Sequence, residues 1–172
     1  MTIAGRPYVI AMDEFDDKGK IGAARIIDIS DETKPFVISN IKLEVNMPEH
    51  QAALANDPGF SGPFQGYRGH YCNVATRQDP DVVACTFILS GLRLFDIRDP
   101  YVPKEIAYFN PPVWPGNGVQ SAGNFAMSSP TIIPERSEIW YSDGNSGFYA
   151  LRVKNGVWQV AERMSRSPLK SE

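Results

Sequence analysis

The stretch SGLRLFDIRDPYVPKEIAYFNP, Ser90–Pro111, decides how the rest of the chain is read. In an extended segment Leu92, Leu94 and Asp96 share one face, and Arg93, Phe95 and Ile97 share the other. Apolar residues on both faces mark a strand covered on both sides by neighbouring sheets. Asp99-Pro100 and Pro103 then turn the chain, because proline fixes φ and an aspartate side chain can bond the backbone two residues on. KEIAYF, Lys104–Phe109, follows as an antiparallel strand.

The pattern occurs three times. AARIIDISDETKPFVISNIKL, Ala23–Leu43, aligns at an offset of 68 residues: Arg25 with Arg93, Ile26 with Leu94, Asp28 with Asp96, Asp31 with Asp99 and Pro35 with Pro103. SGFYALRVKNGVWQV, Ser146–Val160, aligns at an offset of 56: Gly147 with Gly91, Phe148 with Leu92, Val153 with Ile97 and Asn155 with Asp99. This third copy is degenerate, without the Asp-Pro or the later proline.

Each copy is preceded by another β-rich segment: Arg6–Asp13, Asp81–Ile88 and Ser137–Asp143. Two of these have a further extended stretch before them, Gly69–Arg77 and Phe125–Glu135. The expected count is three strands, then four, then four. That is an all-β chain of about three four-stranded antiparallel blades of a partial β-propeller, the first blade lacking its innermost strand. The blades fall at about 6–46, 67–112 and 122–161, in one domain over 1–163 with a polar tail at 164–172. A stand-alone sandwich of about eleven strands is the rival arrangement.

Two insertions interrupt the repeat. Glu44–Tyr67 contains MPEHQAAL, with an early proline and good helix formers, and predicts about two helical turns. Asn110–Asn124 is a Pro/Gly-rich loop. Both join an outer strand to the next inner strand, so both belong on one face of a propeller, beside its channel, where long loops are commonly functional.

Composition excludes several classes. Of 172 residues, 17 are Lys or Arg and 20 are Asp or Glu, a net charge of −3 that argues against a nucleic-acid binder driven by counterion release. The 42% hydrophobic and 22% charged content is that of a globular chain. No apolar run is long enough to span a membrane. MTIAGRPYVIAMDEFDD shows no basic region leading into a long apolar stretch, so no signal peptide is read in it. Two cysteines, Cys72 and Cys85, cannot form a zinc site alone. They read either as two buried thiols or as a cross-strand disulfide. The turn Arg77–Asp81 lies midway between them, and directly opposite Cβ atoms in a hairpin stand about 4.5–5.5 Å apart. A disulfide would place the protein in an oxidising compartment.

At Gly91, Leu92, Arg93, Asp96, Asp99, Pro100 and Pro103 the chain resembles the LVIVD-repeat family, bacterial and archaeal propeller proteins often exported to the cell surface. RIIDISDETKP matches with Glu32 in place of the motif's proline. The segment from His70 to Phe87 also resembles extracytoplasmic members whose cysteines are paired. The resemblance covers most of 6–160 and brings no catalytic motif with it. Propellers commonly have 4 to 8 blades. Three units therefore lead to the expectation of a C-terminal fragment of a longer member.

Little in the residues points to chemistry. His70, at the start of an inner strand, and Trp114 and Phe125, flanking the second long loop, are the candidate ligand-binding residues on the channel side. His50 reads as solvated, and two histidines cannot build the cluster of an oxidase-type propeller. Asp13–Lys20 and Ser142–Gly147 read as turns; the acidic one lacks calcium-loop spacing. Asp28 and Asp96 resemble a carboxylate pair, but a residue repeated in each unit is more simply a device for holding a turn. Trp140 and Trp158 read as packing aromatics. No catalytic residue, metal or cofactor is implied.

The expected function is a non-catalytic binding module of an exported or surface-associated bacterial protein. Its partners would be another protein or missing blades of the same protein. The competing expectation is part of a propeller enzyme, a hydrolase or metal-dependent oxidase, whose other site residues lie in missing N-terminal blades.

Overall fold

The structure is a computed structural model describing residues 1–14, 16–17, 20–54, 66–117 and 123–154. The expected outer strand NGVWQV with Trp158, and the tail at 164–172, lie outside the described residues. The chain is all-β, with three antiparallel sheets in a partial propeller-like arrangement.

The first sheet has the order β1 (Thr2–Ile3), β2 (Arg6–Met12), β5 (Ala24–Asp28), β6 (Phe36–Ile41). Its incompleteness takes the form of an inner strand cut to two residues. That strand also bridges to Gln78 of the middle sheet, and the Asp79 N–H donates to the Thr2 carbonyl. Between β2 and β5, the acidic turn forms a small ribbon of β3 (Asp16–Asp17) and β4 (Lys20–Ile21).

The middle sheet is complete: β7 (Gly69–Val74), β8 (Val82–Phe87), β9 (Gly91–Asp96) and β10 (Lys104–Phe109), each paired with the next. The described third sheet is β11 (Thr131–Ile133), β12 (Glu138–Asp143) and β13 (Gly147–Arg152). In the first insertion a 3-10 turn at Pro48–His50 runs into a single α-helical turn, α1 (Gln51–Leu54).

The repeat has local physical causes. Gly91 has φ +72°, and a Cβ there would stand 2.2 Å from the Phe109 carbonyl oxygen, so only glycine admits the close approach of β10. Asp28 accepts from the Ser30 N–H and Asp96 from the Arg98 N–H; Asp31 and Asp99 do the same for Thr33 and Tyr101. The repeated aspartates therefore hold turns. The likeness extends to an irregularity. Ile38 in β6 and Ile106 in β10, 68 residues apart, are each the extra residue of a β-bulge against the preceding strand.

Packing between sheets follows one rule. Tyr8, Ala24 and Ile26 of the first sheet pack on Val83, Cys85, Phe87 and Phe95 of the middle one. Val82, Ala84, Leu92 and Leu94, on the other face of the middle sheet, pack on Ile139, Tyr141, Tyr149 and Leu151 of the third. By the repeat offsets, Ala24 and Ile26 stand where Leu92 and Leu94 stand, and Leu151 stands where Phe95 stands. Each joint thus sets the forward face of one sheet on the rear face of the next.

Candidate functional site

Period-two alternation along β9 divides its side chains between two wedges. Leu92 and Leu94 enter the wedge toward the third sheet. Arg93 and Phe95 enter the wedge toward the first, where a pocket of about 470 Å³ lies beneath the first insertion. Leu43, Glu44, His50, Tyr67, Ser90 and Arg93 are among its lining residues. The insertion is pinned there by Asn46, buried, whose Nδ2 donates to the Tyr67 carbonyl at 2.8 Å.

Arg93 is held by three hydrogen bonds. Its Nε donates to the Ser90 carbonyl at 3.2 Å, Nη2 to Ser90 Oγ, and Nη1 to Glu105 Oε1 at 2.8 Å. Its guanidinium also sits 4.8 Å from the Tyr108 ring centroid. Ser90 Oγ thus accepts from a permanently charged guanidinium. His50 Nε2 lies 3.7 Å from Glu44 Oε1 at the exposed lip. The pocket can hold a polar molecule by hydrogen bonds. Among the described residues no three His, Cys, Asp or Glu side chains are grouped to hold a metal.

The second wedge holds a pocket of about 250 Å³ lined mainly by apolar side chains, Leu92, Leu94, Phe109, Ile139 and Leu151 among them, with Arg152 and Lys154 also on its wall. Beside it Tyr141 stacks on Tyr149. Burial pushes the Tyr141 phenol pKa well up, with Asp143 adding to the effect. The buried Asp143 carboxylate accepts from the backbone N–H groups of Phe125, Asn145 and Ser146, and so ties the third sheet's hairpin to the incoming loop.

Among the described residues two sheet faces are uncovered. On the rear of the first sheet Val9, Ile27 and Val37 stand in register across three strands, with Val9 41% and Val37 49% exposed. On the forward face of the third sheet Trp140, Phe148 and Ala150 stand together, with Phe148 63% exposed and its ring edge-on to Trp140. Arg136, Glu138 and Arg152 form an ionic border beside them, and the Trp140 Nε1–H donates to Glu138 Oε2. Hydrogen bonds from Trp140, and then Arg136, hold the Glu138 carboxyl below its ordinary range.

The residues singled out from sequence are placed apart. His70 lies in β7, with Nε2 3.5 Å from Glu14 Oε2 and its ring edge-on to Tyr71. Trp114 is held by the loop itself: its N–H donates to Asn124 Oδ1 and its carbonyl accepts from Gly123. Phe125 packs against the core of the first wedge, with its N–H on Asp143. None of the three lines either inter-sheet pocket. Cys72 and Cys85 are directly opposite in the β7–β8 ladder, with Cα atoms 4.1 Å apart, and are joined in a disulfide.

The uncovered faces were missed although the signal was present. At the offset of 68, Ile27 takes the place of Phe95, and at 56, Phe148 takes the place of Leu92; both counterparts are buried at a sheet-to-sheet joint. The Arg93 pocket had no such signal, because the insertion that roofs it has no counterpart in the other units. Compared with protein-family models and with curated proteins, the chain matches none.

Proposed function

We propose that this chain is a non-catalytic propeller-type binding module of an exported or surface-associated bacterial protein of the LVIVD-repeat kind. The observation that carries the reading is the pair of uncovered faces. Val9 and Ile27 occupy positions whose counterparts, Val83 and Phe95, belong to a sheet-to-sheet joint, and so do Trp140, Phe148 and Ala150, whose counterparts are Ala84, Leu92 and Leu94; Val37, in register beside Ile27, stands where Glu105 stands. Contiguous exposed apolar surface of this kind marks interaction sites. The natural occupant is another antiparallel sheet, which can fill the same pleated shape.

The Cys72–Cys85 disulfide supports the cellular setting, since such bonds persist in oxidising compartments. Among the described residues no helix is long and apolar enough to cross a membrane.

The reading is tested with an environment-sensitive hydrophobic dye on protein diluted until the parent and both variants run as single chains. Ile27→Asp and Phe148→Asp are each expected to lower dye binding while circular dichroism and the melting midpoint stay as in the parent. Unchanged dye binding in both variants would remove the basis for docking through these faces.

A further inference from the structure

We propose that the occupant is a second copy of this chain, and that two copies close head-to-tail into a six-sheet ring. The proposal rests on the docking reading above and gives it a partner. The two free faces are of opposite type. The chain uses a forward-on-rear joint twice, first sheet on middle sheet and middle sheet on third. Among the described residues what remains is one rear face, on the first sheet, and one forward face, on the third. A forward face of one molecule on the rear face of another repeats a joint the chain already makes.

The side chains fit that role. Phe148 and Ala150 stand at the positions of Leu92 and Leu94, which pack into the third sheet. Trp140 pairs with Ala150 as Ala84 pairs with Leu94. On the receiving side Ile27 stands at the position of Phe95, and Val9 pairs with it as Val83 pairs with Phe95. A forward-on-rear contact is heterologous, so it builds either a closed ring or an open filament. Rings of sheets close at about 4 to 8 blades, and six is the multiple of three within that range. Two copies related by a twofold axis then cover all four free faces with two identical joints.

The test is light scattering coupled to size exclusion on the 172-residue chain under oxidising conditions. The expected mass is twice the 19.1 kDa of one chain. Ile27→Asp removes the rear face, and Phe148→Asp removes the forward face. Ala150→Lys is a second forward-face change, at an exposed position. Each variant alone is expected to run at half the parent mass. Mixing Ile27→Asp with Phe148→Asp is expected to restore a two-chain species, because one joint in the mixed pair is unaltered. That rescue also shows that both variants are folded.

A variant that stays dimeric alone would mean a face-to-self contact and would overturn the head-to-tail joint. A ladder of larger masses would overturn closure. A monomeric parent whose dye binding falls in the variants would overturn the second copy as occupant and leave the docking reading standing. A monomeric parent whose dye binding does not change would overturn both.

Discussion

The wedge between the first and middle sheets and the wedge between the middle and third sheets share one strand, β9, and are filled in opposite ways. On one side Phe95 lies over Phe87, with centroids 6.2 Å apart, and next to it Arg93 gathers Ser90, Glu105 and Tyr108 beneath the insertion. On the other side Leu92 and Leu94 meet Ile139 and Leu151, and the charged side chains Arg152 and Lys154 lie only along the pocket that opens beside them. The difference shows what alternation achieves in a strand buried on both faces. The same six residues, Gly91–Asp96, supply a polar wedge that accommodates an insertion and a mainly apolar wedge that needs none.

The largest expected effect comes from emptying either wedge. Phe95 is 2% exposed and Leu94 is 3% exposed. Phe95→Ala should cost about 3–5 kcal/mol and Leu94→Ala about 2–5 kcal/mol, read by urea or thermal unfolding. Both variants should still melt in one transition, because a strand common to both wedges couples them. Two separated transitions in either variant would break the comparison by showing that the wedges fold independently.

A smaller effect should sharpen it. Arg93→Leu leaves Glu105 and the Ser90 carbonyl without their donor, at a cost of about 1–3 kcal/mol. Arg93→Leu with Glu105→Leu makes the first wedge resemble the second and should recover most of that loss, since no uncompensated charge remains. A double-mutant cycle measures the recovery. A double variant no more stable than the sum of its single changes would show that the pair is not coupled, and the polar filling would then be incidental.

Much of the fold, though not this contrast, was open to sequence reasoning, for reasons that can be named. The Gly-Leu-Arg start, the Asp turns and the offset of 68 are local and repeated, so they survived translation into strands and turns. The cysteines stayed between two readings until register put Cys72 opposite Cys85, because spacing alone does not pair strands. The bulges at Ile38 and Ile106 add a residue without changing the apolar pattern, which hides them from periodicity. What Arg93 meets depends on where Glu44–Ala53 folds back, and only tertiary packing through Asn46 and Tyr67 decides that. His70, Trp114 and Phe125 were grouped by their nearness to loops, and each is held by different neighbours.

The smallest expected effect concerns the turns that close β5 and β9. Both repeated carboxyls are held below the ordinary aspartate range. Hydrogen bonds from Ser30, and then from Arg6 at 2.7 Å, do this for Asp28; the Arg98 side chain does it for Asp96. Lowered in the folded state, each group is ionised where its unfolded counterpart already takes up a proton. The stability each contributes is therefore full above the unfolded value of about 4 and is lost as pH falls through the folded value. Asp28→Asn and Asp96→Asn should each flatten the acid side of a plot of melting midpoint against pH, with little change in its slope near neutrality. Salt should separate the two. The arginine partners Arg6 and Arg98 are equally exposed, but the Asp28 side chain is fully buried and that of Asp96 is 18% exposed, so added salt should weaken the Asp96 contribution first. Equal salt sensitivity in the two variants would mean that the turns are held alike despite their different burial, and the contrast between the first and middle sheets would then stop at the wedges.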